Sequence, residues 1–161
     1  MTPTNQSIRF TALPSDEVHR LRAGELDANG MVPERQVSDG GGNPCRHCLQ
    51  DIAQGDEMLV LAYRPFPESQ PYAELGPIFL HAEHCDRHTA NAEVPQLFLK
   101  RAQMLVRGYL PDNRIKYGSG KVVSTEALDD VCREMLDDPE IAYVHLRSAS
   151  NNCYQARVER G

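Results

Sequence analysis

The sequence predicts an α+β fold: a single domain over residues 1–161, with a mostly antiparallel sheet, two short-to-medium helices and a Cys/His-rich hairpin. The order of the predicted elements indicates this class. Segments of strand length outnumber helical segments, and the two types do not alternate regularly as they do in a doubly wound parallel sheet. A length of 161 residues is typical of one domain, and a hydrophobic content of 40% suffices for a core.

The first half of the chain contains four predicted strands and one predicted helix. The helix begins at Ser15, a candidate N-cap residue, and carries Asp16 and Glu17 in its first turn. Gly24 interrupts it. The strands are predicted from alternating or continuous apolar side chains. They cover residues 8–12, 31–38, 57–63 and 77–82.

The second half is predicted to hold a hairpin, the longest helix and two final strands. Pro-Asp-Asn at 111–113 is a turn signal between hairpin strands at 104–110 and 114–123. Thr125–Asp137 places its apolar side chains on one face and its acids on the other, as an amphipathic helix does. The remaining elements are a helical turn at 96–100 and strands at 141–147 and 153–159.

Charge and hydropathy exclude several classes of protein. The chain has 17 basic and 23 acidic residues, a net charge of -6, whereas a protein that coats nucleic acid needs a positive face. Apolar runs are too short to cross a bilayer, and residues 1–10 lack the charged leader and apolar stretch of an export signal. We therefore expect a cytoplasmic protein whose partner is a small molecule or another protein.

The charge is distributed unevenly along the chain. Residues 100–121 carry six basic side chains against one acid, and residues 126–140 carry seven acids against one arginine. Two solvated faces account for this pattern. The alternative is a metal-free anion-binding module that uses the basic strip 100–121, whose binding would weaken as salt rises.

Five cysteines in a chain without an export signal favour metal ligands or free thiols over disulfides. Cys45 and Cys48 have the Cys-x-x-Cys spacing of two zinc ligands, and Cys85 is followed at the same spacing by His88. The strand, loop and strand between the two pairs can return as a hairpin and bring them together. The sequence therefore predicts a structural zinc site of Cys45, Cys48 and Cys85, with His81 or His88 as the fourth ligand and zinc as the cofactor.

Other hypotheses remain open for the same residue types. The Cys-x-x-Cys pair suits redox chemistry, although a thioredoxin-like motif needs a long helix there and Gly55 follows too soon. Free loop thiols and surface histidines are a further interpretation, and His47 is a candidate outer-shell residue. As an enzyme, the protein would use a metal with an open position, or Cys153 and His145 as nucleophile and base.

Motifs along almost the whole chain, about residues 7–160, resemble a bacterial family labelled as a domain of unknown function, number 1203. The motifs are PCRHCL at 44–49, LAYRPF at 61–66, PY at 71–72, GPIFLHA at 76–82, YVH at 143–145, and NCY at 152–154 with Arg157 and Arg160. The resemblance implies a single-domain bacterial protein, and the family label assigns it no activity.

The resemblance also bears on the candidate residues. Cys45, His81, His145, Cys153 and Tyr154 match the family's motifs. The histidine at position 88 does not belong to the pattern, so the resemblance favours His81 as the fourth ligand.

Overall fold

The computed structural model describes residues 5–161. Residues 1–4, part of the segment predicted to lack an export signal, lie outside the described residues. The described chain forms eight strands in two antiparallel sheets together with three α-helices, which confirms the α+β class; the shortest helix corresponds to the helical turn predicted at 96–100. Within this range, no helix has the length and apolar character needed to cross a membrane.

The elements follow one another in mixed order. They are β1 (Ile8–Thr11), α1 (Ser15–Arg22), β2 (Glu34–Val37), β3 (Glu57–Tyr63), β4 (Gly76–His81), α2 (Gln96–Leu99), β5 (Gln103–Tyr109), β6 (Lys121–Ser124), α3 (Leu128–Asp137, after a 3-10 turn at Thr125–Ala127), β7 (Tyr143–Ser148) and β8 (Tyr154–Arg160). Each predicted strand corresponds to an observed one, and the apolar run at 57–63 matches β3 at both ends.

Two local predictions are wrong. The second hairpin strand was expected over 114–123, but β6 begins at Lys121, because the chain before it forms a turn that the Ser119 N–H closes by donating to the carbonyl of Lys116 at 3.1 Å. Ser15 is not the N-cap of α1. Pro14 occupies that position, and no side chain caps the helix.

The chain divides into two compact units. The prediction of a single domain over residues 1–161 stays a prediction. The first unit comprises the described residues 5–11, 68–73 and 90–161. Its five-stranded sheet has the order β1-β8-β7-β5-β6, with every pairing antiparallel.

One face of this five-stranded sheet forms the apolar core. Helix α3 turns Leu128, Cys132 and Leu136 inward, and each is 0% exposed. They belong to one buried cluster with strand residues such as Val106 and Val144. The helix therefore buries the face that its sequence pattern predicted.

The second unit comprises residues 12–67 and 74–89 and contains α1 and a three-stranded sheet. The strand order is β2-β3-β4, so β3 is central, and all four residues of the terminal strand β2 are exposed. The loop between β2 and β3 holds the Cys-x-x-Cys motif. A parallel bridge between Cys45 and Phe79, with Arg46 N–H donating to the carbonyl of Phe79 at 3.1 Å, attaches this loop to β4.

Candidate metal centre

The Cys-x-x-Cys motif forms a tight turn. The N–H of Cys45 donates to the carbonyl of Gln50 at 2.9 Å, and the N–H of Leu49 donates to the carbonyl of Cys45 at 3.0 Å. Leu49 has a φ of 55°, in the left-handed region that non-glycine residues rarely occupy. The backbone N–H of Cys48 donates to the sulfur of Cys45. The turn thus presents both sulfurs on the same side of the loop.

Strand β4 and the loop after it supply the other two side chains. His81 is the last residue of β4 and pairs with Met58 of β3, which fixes its position. Its N–H donates to Cys45 Sγ at 3.4 Å. Cys85 lies in the following loop, and its sulfur is 3.9 Å from that of Cys45.

The ligand atoms of Cys45, Cys48, His81 and Cys85 all lie within 4.8 Å of one another, and this group can hold a metal ion. The sulfur of Cys48 is 3.5 Å from Nδ1 of His81. Zinc bonds of about 2.3 Å to sulfur and about 2.0 Å to nitrogen place tetrahedral S/S pairs about 3.8 Å apart and S/N pairs about 3.5 Å apart. The two measured pairs are therefore close to the spacing of a tetrahedral Cys3His site.

Two further side chains contact the sulfur of Cys85, and a third contacts one of them. Arg22, at the end of α1, donates from Nη2 to this sulfur at 3.1 Å and from Nε to the carbonyl of His81 at 2.9 Å. Nδ1 of His47 lies 3.2 Å from the same sulfur. Ser15 Oγ lies 2.8 Å from the other ring nitrogen of His47, so a donated hydroxyl hydrogen leaves Nδ1 as the donor to sulfur. These contacts orient and neutralise thiolate ligands.

The thiols interact strongly enough to alter one another's ionisation. Hydrogen bonds from Cys48 and Cys85 hold the pKa of the Cys45 thiol far below its ordinary value. The same contacts with Cys45 raise the pKa values of Cys48 and Cys85. The hydrogen bond with the Cys45 sulfur raises the pKa of His81. A divalent cation that accepts three thiolates would displace the protons these groups hold, as metal binding to such a donor set does.

His88, the rival fourth ligand, does not belong to the converging group. Its N–H donates to the carbonyl of His47 at 2.9 Å. Its Nε2 atom is buried and has no hydrogen-bond partner among the described residues, and burial lowers the pKa of the ring.

The C-terminal candidates His145 and Cys153 lie at different places on the β7–β8 hairpin. His145 is opposite Arg157, whereas Cys153 lies at the turn, where its carbonyl accepts from Ser148 N–H at 3.0 Å. Four residues separate Cys153 from Arg157, which corresponds to about 13 Å along a strand. The hairpin therefore does not bring the thiol to the imidazole, and the two do not form a nucleophile–base pair here.

Several cations of the basic strip 100–121 have partners within the first unit. Lys116 donates to Asp138 at 2.9 Å and also to Glu140. The guanidinium carbon of Arg114 lies 5.4 Å from the centre of the Tyr72 ring. These contacts agree with the interpretation of this part of the strip as a solvated face.

Arg22 and Ser15 were not predicted to be neighbours of the cluster. Both belong to α1, far along the chain from the cysteines, and no motif spacing relates them. Arg22 lies in the last turn of a short helix. Basic residues are common there because they interact favourably with the helix dipole, so this position does not indicate a role beside the cluster.

Comparison with known proteins finds one matching family. No curated protein and no solved structure matches the chain. A family match covers residues 42–160, more than half of the chain, and so includes all four residues of the cluster but not α1. The chain belongs to the family described as "Protein of unknown function (DUF1203)".

Proposed function

We propose that this chain is a small cytoplasmic binding or regulatory domain whose second unit is stabilised by one structural zinc ion. The ligands are Cys45, Cys48, His81 and Cys85. The observation that carries the proposal is the convergence of their four ligand atoms within 4.8 Å. Four protein ligands fill a tetrahedral zinc ion and leave no position for water or substrate, which is typical of structural rather than catalytic sites.

The charges around the cluster support zinc as the occupant. Three thiolates, a neutral imidazole and Zn²⁺ sum to a charge of about −1. Arg22, 3.1 Å from the Cys85 sulfur, supplies the compensating positive charge. The donor set of three soft sulfurs and one imidazole suits zinc and disfavours magnesium or calcium, which prefer oxygen ligands.

When bound, zinc supplies coordinate bonds that cross-link the chain without redox chemistry. The ligands come from the loop at 45–48, from the end of β4 and from the loop that contains Cys85. The unfolded chain does not hold these ligands in place, so the free energy of zinc binding adds to the free energy of unfolding. We infer that the site stabilises the conformation of a binding surface and does not act on a substrate.

The test is elemental analysis of protein purified without a polyhistidine tag, followed by thermal unfolding with and without a strong chelator. We expect about one zinc per chain and a lower melting temperature after chelation. Cys85→Ser should lose the metal. Cys153→Ser, also a half-buried cysteine but outside the cluster, is the matched control and should retain it.

Two outcomes would contradict the proposal. Metal-free protein whose melting temperature does not respond to zinc or chelator would remove the site altogether. X-ray absorption that finds three protein ligands and one water would instead favour the enzyme hypothesis, because an open position is typical of catalytic zinc.

A further inference from the structure

The face of the five-stranded sheet opposite its apolar core concentrates positive charge. Strand β7 lies between β5 and β8, and the register places Arg107 and Arg157 on either side of His145. Residues paired across strands project to the same face. Arg147, two residues along β7, projects to that face as well. Three guanidinium groups therefore surround one imidazole ring.

Aromatic rings enclose the same imidazole. The ring centres of Tyr109, Tyr143 and Tyr154 lie 4.7, 5.1 and 4.9 Å from that of His145, which is 1% exposed. The guanidinium carbon of Arg157 lies 3.9 Å from the centre of the Tyr143 ring. Burial first, and then the three arginines, lower the pKa of His145 well below its ordinary value. The imidazole therefore stays neutral and adds no charge of its own.

Arg147 is buried with part of its hydrogen-bonding capacity unused. The residue is 4% exposed, and Nη1 donates to the carbonyl of Asn152 at 3.1 Å. Within the described part of the chain, its Nε and Nη2 atoms have no hydrogen-bond partner. The buried Nε atom of Arg157 has no hydrogen-bond partner there either. A buried charged donor without an acceptor is costly, so these atoms are available to donate to an anion that binds here.

The number of unpartnered donors suggests the kind of anion. Glu159 Oε2 lies 3.6 Å from Nη2 of Arg157 and leaves Nε of that side chain without an acceptor. Together with Nε and Nη2 of Arg147, this gives three buried donors, which the oxygens of one phosphate can accept more fully than the two oxygens of a carboxylate. Guanidinium groups bind phosphate oxygens through pairs of N–H donors.

We propose that Arg147 and Arg157, with Arg107 beside them, form a binding site for a phosphate dianion on this sheet face. The site takes either free phosphate or the phosphate group of a monoester, against the tyrosine rings. A β-bulge between Leu146 and Arg147 lies next to the site, a position where bulges commonly redirect a side chain. The proposal does not depend on the zinc centre, which lies in the other unit.

The test is calorimetric titration of the full chain with inorganic phosphate at constant ionic strength. Acetate serves as the monoanion and phenyl phosphate as the monoester. We expect saturable phosphate binding and no comparable acetate binding, and tighter binding of phenyl phosphate would identify the monoester as the preferred source. Arg157→Gln, whose side chain is 39% exposed, should weaken phosphate binding at least tenfold, about 1.4 kcal/mol.

The matched control is Arg20→Gln, an exposed arginine on α1 that should leave phosphate binding unchanged. If Arg157→Gln fails to fold, the wild-type chain still decides the question by NMR, because bound phosphate must shift the ring resonances of His145. The proposal is overturned by the absence of saturable binding, by acetate binding as tightly as phosphate, by equal affinity in folded Arg157→Gln, or by His145 resonances that do not move.

Discussion

Arg22 Nη2 donates to the sulfur of Cys85 at 3.1 Å. The same guanidinium holds the carbonyl of His81 through Nε at 2.9 Å, so one side chain contacts two of the four residues of the cluster. This residue comes from α1, which the family match at 42–160 does not include. The cluster is therefore supported by a helix outside the matched region.

Arg22→Gln should lower zinc affinity by roughly 10–100-fold, the range typical for loss of an outer-shell partner. The reason is that the anionic site loses its compensating charge and the hydrogen bond to sulfur. Competition with a chromophoric chelator measures the change. Arg20→Gln is the control from the same helix, and equal affinities for the two variants would show that Arg22 does not stabilise the bound metal.

The fourth ligand can be assigned by comparing two histidine variants. His81→Ala should lose most of its zinc, because it removes one of the four ligands and weakens binding. His88→Ala should retain one zinc per chain, because His88 is not in the converging group. Zinc content after extensive dialysis measures both. The opposite pattern would identify His88 as the fourth ligand and exclude His81.

The five free cysteines should react with an alkylating reagent in three stages. In the zinc protein only Cys153 should react quickly, and chelation should add the three sulfurs of the cluster. Cys132 should react only after unfolding, since burial raises the pKa of its thiol to about 12. Mass spectrometry of quenched samples counts the modified residues. Rapid modification of four thiols before chelation would contradict metal coordination.

Stability should fall as the pH drops below about 6.5, because His145 binds a proton in the unfolded chain but resists it when folded. The folded pKa is lowered, so its contribution is present above the unfolded pKa and is lost on acidification. The charged and titratable groups facing the ring are Arg107 and Tyr109 on β5, Tyr143 and Arg147 on β7, and Tyr154 and Arg157 on β8.

The free energy of unfolding should fall between about pH 7.5 and about pH 5.5. In His145→Phe this fall should be smaller than in the wild-type chain by about 1.4 kcal/mol. Urea unfolding at both pH values measures it, and other titrating groups, including the metal centre, are common to both proteins. His19→Gln, a change at an exposed histidine, should retain the wild-type pH dependence. An unchanged pH dependence in His145→Phe would place the titration elsewhere.

The strands and the cysteine half of the site could be predicted because local pattern determines them. The run at 57–63 has the apolar character of a central strand, and the return from β3 to β4 places Cys85 near Cys45. The choice between His81 and His88 could not be made from spacing, since both lie three or four residues from Cys85. In the structure the end of β4 places His81 beside the turn, whereas His88 is not in the converging group.

The remaining features depend on register, which spacing does not specify. Both strands of the last hairpin were predicted, yet turn length and the bulge after Leu146 separate His145 from Cys153. The arginines at 107 and 157 belong to different strands and become neighbours of His145 only through pairing. Sequence patterns indicate which residues share a face of one strand but not which strands are adjacent.

The edge strand β2 of the three-stranded sheet has a consequence for self-association. The free edge of a β-sheet is a template on which an extended segment of another molecule can add, the first step of fibrous aggregation. Here the edge strand is only four residues long and begins with Glu34 and Arg35. A short, charged edge disfavours such addition. In concentrated solutions of the protein, this strand therefore protects against the growth of fibres by strand addition at this edge.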